Sequence, residues 1–171
     1  MTRSQLQAVH NLKGDRNANR FLNDMSQYLC SYRHGLENVY YLSKEGRERI
    51  KCEVIRKKTP NIQHFLLRNQ LWIYLKCPSS WQNEIKVNVG DTSIICDAKY
   101  NMNGVPVFVE VDISQPMNVN KRKIDKYKRM KELTNEPFHL AWVTEIGSRR
   151  PKLIELCEGL SGRVFTFNEI I

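Results

Sequence analysis

Apolar residues recur at helical spacing in the first part of the chain and at strand spacing further on. Leu6, Val9 and Leu12 lie on one side of a first helix, capped by Thr2 or Ser4 and running to about Lys13. Gly14 is expected to end it. Asp15 is expected to cap a second helix to about Leu29, with Phe21, Leu22, Met25 and Leu29 on its apolar side. Two short β-prone runs, 28–33 and 37–42, flank His34-Gly35-Leu36 and predict a hairpin. Ser43 to Ile50 starts a further helix. Helix, turn, helix, hairpin, helix is the order of a winged helix.

Thr59-Pro60-Asn61 interrupts the chain. A helix is predicted from Ile62 to about Lys76. It is apolar nearly all round, and is expected to be buried between two halves with His64 and Asn69 satisfied inside the packing. Pro78-Ser79-Ser80 closes it. Beyond that the pattern reads β, β, β, α, β, α, β. Strands are predicted at Glu84–Val89, Thr92–Tyr100, Val105–Asp112, Phe138–Thr144 and Arg163–Phe167. Helices are predicted at Val119–Leu133 and Pro151–Leu160. Gly90-Asp91 and Asn103-Gly104 are hairpin turns. The fold class expected is α/β (α+β). A winged-helix domain spans residues 1–58, a connecting helix 59–80 and a mixed-sheet domain 81–171.

Charge changes this picture. The chain carries 27 Lys and Arg against 18 Asp and Glu, a formal net charge of +9. Residues 1–76 hold 14 of the cations against 6 acids, and residues 77–171 hold 13 against 12. A cationic excess confined to one half is the footprint of a polyanion-binding domain. The early face of the second helix offers Arg16, Asn17, Asn19 and Arg20, types that pair with guanine and adenine edges in the major groove. Arg33 and His34 lie near the hairpin tip. Double-stranded DNA is therefore the expected partner, needing no cofactor, and a two-fold homodimer is a plausible arrangement.

The remaining composition excludes other classes. No run of about 18 apolar residues, amphipathic apolar helix or lipidation motif points to a membrane. Met1-Thr2-Arg3-Ser4-Gln5 leads into a polar amphipathic stretch rather than a signal peptide, so a cytoplasmic protein is expected. The five cysteines are irregularly spaced with no C-x-x-C pair, and read as free thiols in a reducing compartment.

The chemistry-bearing residues lie between Ile95 and Tyr127. With Asn103-Gly104 as a two-residue turn, Met102 faces Val105 and Lys99 faces Phe108. Carried further, this register sets Asp97 opposite Glu110 and puts Asp97, Lys99, Phe108, Glu110 and Asp112 on one sheet face. Cys96 and Ala98 fall on the other. Opposed carboxylates repel unless a cation, a proton or a basic neighbour intervenes. Mg²⁺ or Mn²⁺ held by Asp97 and Glu110 is one resolution, with Lys123 or Lys99 supporting phosphodiester hydrolysis and Asp112 assisting. A structural cluster neutralised by Lys99, Lys121, Arg122 and Lys123 is the other.

Asp97, Glu110-Val111-Asp112 and the basic helix after them resemble the PD-(D/E)xK nuclease fold, although Asp112 stands where that pattern has lysine. The run Val39-Tyr40-Tyr41-Leu42-Ser43-x-x-Gly46 resembles the wing-to-helix ending of bacterial winged-helix proteins. Taken in order with His64-x-x-x-x-Asn69, Asp97-Ala98, Phe108 to Asp112 and Lys123-x-x-x-Tyr127, it is similar to the replication-relaxation family of bacterial plasmids, phages and other mobile elements. The resemblance implies DNA binding in replication, relaxation or its transcriptional control, with a degenerate nuclease-like domain. The alternatives are a Mg-dependent site-specific endonuclease or nickase, and a replication accessory module that contacts other proteins.

Overall fold

The computed structural model describes every residue, Met1–Ile171, and the chain forms two compact units, Met1–Asn69 and Gln70–Ile171. The first unit contains α1 (Arg3–Val9), α2 (Asp15–Asp24), β1 (Leu29–His34), β2 (Glu37–Leu42) and α3 (Lys44–Arg49). A further helix, α4 (Ile62–Tyr74), runs across the division between the units.

α1 begins with a capping box in which Thr2 and Gln5 satisfy each other's backbone N–H groups. It stops at Val9, earlier than its periodicity predicts, because Asn11 and Lys13 take left-handed φ values of 49° and 59°. That turn drives Leu12 into the core while leaving Gly14 with an ordinary φ of −80°. Asp15 is then the first helical residue rather than the cap, and its carboxylate pairs with Arg3 at 3.0 Å. α2 buries Ala18 and Leu22 and ends at Asp24, shorter than expected, since the chain must release Tyr28. The Tyr28 carbonyl accepts from the Ser43 backbone N–H, and the Gln27 carbonyl accepts from the Ser43 hydroxyl.

β1 and β2 pair antiparallel from Leu29↔Leu42 to His34↔Glu37. The connection is Gly35-Leu36, and Gly35 has the positive φ that the first position of a type II′ turn requires. Ser43 caps α3 by accepting from the Gly46 N–H.

The second unit is a five-stranded mixed sheet in sequential order, β3 (Gln82–Val89), β4 (Thr92–Met102), β5 (Val105–Asp112), β6 (His139–Thr144) and β7 (Gly162–Thr166). β3, β4 and β5 are antiparallel, and β5, β6 and β7 are parallel. The parallel crossovers run through α5 (Met117–Thr134) and α6 (Arg150–Leu156), with a 3₁₀ turn at Gly147–Arg149. Crossovers of one hand along successive strands place both helices on one sheet face. Ile124, Tyr127 and Met130 of α5 and Leu153 of α6 share one core with Phe108, Leu140, Trp142 and Val164. On the end of the chain, Thr166 and Glu169 form a capping box for a short helix not marked by periodicity, α7 (Phe167–Ile170). Gln70 and Tyr74 of α4 meet Ile170 and Phe165 respectively.

The β4–β5 register follows the turn chemistry from Met102↔Val105 to Ala98↔Val109 and then stops. Strict alternation from Lys99, which pairs with Phe108, would send Cys96 to the far face. Yet Ile94 and Cys96 pack into the core with Phe108. β4 therefore turns over at Asp97. Its β3 neighbour at this point, Glu84, has a left-handed φ of 57°, and pairing resumes on either side at Asn83↔Ala98 and Ile85↔Cys96. The strands fork there, and Asp97 does not stand directly opposite Glu110 in the ladder.

Candidate functional site

The fork is bridged by a side chain. The Val111 backbone N–H donates to Asp97 Oδ2 at 2.8 Å, so a carboxylate takes the place of the missing backbone acceptor. Glu110, one residue earlier on β5, points into the core under α5 and is fully buried. Tyr127 donates its phenolic proton to Glu110 Oε1 at 2.6 Å, and Lys123 pairs with Oε2. Lys123 and Tyr127 are one helical turn apart on α5, which is why one carboxylate meets both.

Burial pushes the Glu110 carboxyl well above the usual carboxylate range, and the nearby Asp97 charge adds to this, while Lys123 and Tyr127 pull the other way. Two acids share one cation here. Burial would lower the Lys123 ammonium, but Glu110 and Asp97 outweigh it and the net direction is upward. Burial, followed by the Glu110 charge, lifts the Tyr127 phenol well above its ordinary value. Cys96 beside them is raised to about 11, first by burial and then by Glu110, so it stays a thiol.

Asp112, also fully buried, belongs to a second network. Arg149 grips it with Nε to Oδ2 at 2.6 Å and Nη2 to Oδ1 at 2.9 Å. Asn120 and Thr144 each donate to it at 2.9 Å. Arg149 also donates to the Gln115 carbonyl at 2.6 Å. Lys99 stands apart from the acids, its ammonium 5.8 Å from the centre of the Phe108 ring.

No group of three or more His, Cys, Asp or Glu side chains is arranged to hold a metal ion. Both Glu110 oxygens and both Asp112 oxygens are engaged, and Asp97 is committed to the backbone of β5. Magnesium keeps several waters, and the buried Glu110 offers no solvent side for them. As arranged, these donors do not fit a hydrated divalent ion.

In the first unit, Arg16, Asn19 and Arg20 are exposed along α2. Asn17 has a local task. Its Nδ2 donates to the Leu12 carbonyl at 2.9 Å, and its Oδ1 accepts from Arg20 Nη2 at 3.1 Å. Arg33 is exposed on one face of the hairpin. His34 lies on the other, half-buried, 3.2 Å from Gln63 Oε1.

The replication-relaxation family model matches residues 1–138. The chain belongs to the replication-relaxation family. No curated protein matches it. The family match covers α1 through α5 and includes Asp97, Glu110, Asp112, Lys123 and Tyr127. Arg149 and Thr144, which hold Asp112, lie beyond it. Sequence reasoning missed both of these and Asn120. Asn120 carried a faint signal, since Asn120, Ile124 and Tyr127 fall at i, i+4 and i+7 and put a polar group on the buried stripe of α5. Arg149, 37 residues from Asp112, carried none. No helix of this replication-relaxation protein is long and apolar enough to cross a membrane.

Proposed function

We propose that this protein binds double-stranded DNA through its first unit, acting as a winged helix in the replication or relaxation of a plasmid or other mobile element. The carrying observation is the exposed row Arg16, Asn19 and Arg20 on α2, presented after a tight turn in the half of the chain that holds nearly all the excess positive charge. α2 enters the major groove, where arginine and asparagine match base edges. The Gly35-Leu36 turn forms the wing tip, with Leu36 90% exposed. The second unit is a nuclease-like scaffold whose acids are turned inward to hold β5 to α5 and to the 3₁₀ turn after β6.

Fluorescence anisotropy of the full chain on labelled duplex tests this reading. Binding is expected to weaken steeply between 50 and 200 mM salt, on the order of 10³-fold or more for six or more phosphate contacts. Arg16→Ala with Arg20→Ala should abolish sequence preference. Unchanged affinity in that double variant would refute the α2 docking.

The closeness of Asp97, Glu110 and Lys123 supports a second reading, a Mg-dependent endonuclease. It requires Lys123 and Tyr127 to release Glu110. Nicking of supercoiled plasmid that needs Mg²⁺ and disappears in Glu110→Ala would establish it.

A further inference from the structure

Residues 52–59 follow α3 with no helix or strand of their own and include Arg56-Lys57-Lys58. All three are exposed, yet two are pinned. The Arg56 guanidinium lies 5.4 Å from the centre of the Phe65 ring, whose ring also meets Arg68 at 5.1 Å. The Lys58 ammonium lies 5.5 Å from the centre of the Tyr32 ring on β1. Lys57, between them, is exposed and meets neither ring. This strap runs from α3 to α4 and touches both α4 and the hairpin on the way.

The hairpin has two distinct faces. Cys30, Tyr32 and His34 alternate with exposed Ser31 and Arg33, and Tyr32 pairs with the buried Val39. The strap meets the hairpin on its Tyr32 face, and Arg33 projects from the opposite one. One narrow ribbon thus carries cations on both sides. A duplex presents two phosphate strands across a minor groove about 6 Å wide, and a ribbon tip directed at that groove meets one strand on each side.

We infer that the Arg56-Lys57-Lys58 strap is a phosphate-binding jaw that works with Arg33 to grip both DNA backbones around the hairpin. This rests on the DNA-binding reading and assigns a second surface to it. Lys57 contacts phosphate directly. Arg56 and Lys58 hold the strap against Phe65 and Tyr32.

The test is anisotropy of the full chain with several unrelated duplexes across 50 to 200 mM salt. Each phosphate contact contributes about 0.9 to the slope of log K against log salt. Arg56→Gln, Lys57→Gln and Lys58→Gln together should reduce the slope by about 1 or more, equally on every sequence. Lys57→Gln alone, at an exposed position, should reduce it by about 1 and leave the melting temperature unchanged. If the triple variant melts early, Lys57→Gln decides the matter. A wild-type slope in Lys57→Gln, or a loss confined to one duplex sequence, overturns the jaw while leaving the α2 reading standing. Failure of the wild type to bind any duplex overturns both.

Discussion

The phenol of Tyr127 and the carboxylate of Glu110 meet at 2.6 Å in the interior of the second unit, α5 against β5. Each is more than nine-tenths buried, so neither has water as an alternative partner. Tyr127→Phe should cost about 1–3 kcal/mol, the penalty for an unmet buried acceptor. Urea denaturation reads it as a lowered midpoint at unchanged slope. A variant as stable as the wild type at neutral pH would show that Lys123 alone satisfies Glu110.

The pH dependence follows from the raised Glu110 carboxyl. In a window above the unfolded carboxylate value of about 4.3, the folded state keeps a proton that the unfolded state has released. Stability from this group is therefore full below that value and is lost as pH rises through the folded one. Lys123, also raised, acts in the same direction, with its contribution lost only above its ordinary value of 10.5. The stability of wild type minus that of Glu110→Gln should fall in urea titrations as pH rises above the unfolded carboxylate value of about 4.3. A difference independent of pH would mean that Glu110 folds ionised.

Asp112 and Arg149 form the tighter of the two networks. Arg149→Ala strands a carboxylate with no solvent, and should cost about 3–5 kcal/mol. Removing both charges with Asp112→Leu and Arg149→Met should cost less than Arg149→Ala alone. Thermal unfolding of both variants decides it. A double variant worse than the single one would mean that the remaining Asn120 and Thr144 donors need the carboxylate more than the arginine does.

Divalent ions provide an independent readout. With the acid oxygens already engaged, millimolar Mn²⁺ should leave the melting temperature of the full chain unchanged. A clear rise, lost in Glu110→Gln, would instead support the endonuclease reading.

Gly46 tests the junction between hairpin and α3. A Cβ there would stand 2.2 Å from the Tyr28 carbonyl oxygen, whose backbone is already tied to Ser43. Gly46→Ala should destabilise the first unit by about 1–3 kcal/mol or more, since backbone rather than a flexible side chain must move. Circular dichroism melting measures it, and a neutral outcome would mean that the residues 25–28 shift freely.

Much of this was legible where local chemistry leaves one choice. β5 was read to its exact ends because an apolar run bounded by Asn103-Gly104 and Ser114 has no rival assignment. The same turn fixed the register as far as Ala98. The fork at Asp97 was hidden, because it depends on Glu84 adopting a left-handed backbone that glutamate rarely takes. α1 was read too long for a similar reason, since Asn11 and Lys13, not Gly14, make its turn. Asp97, Glu110 and Lys123 could be gathered from strand and helix periodicity. The partners of Asp112 could not, since they arrive from a turn after β6 whose position only the folded sheet determines.

The bridge across the fork also bears on how substitution patterns in such chains are read. Asp97 supplies a rung of the sheet with its side chain, and Glu110 anchors a helix through its buried oxygens. Loss of either removes a connection that the fold itself uses. An acid at either position is thus accounted for by the architecture without any cutting of DNA, and its presence is no gauge of catalysis.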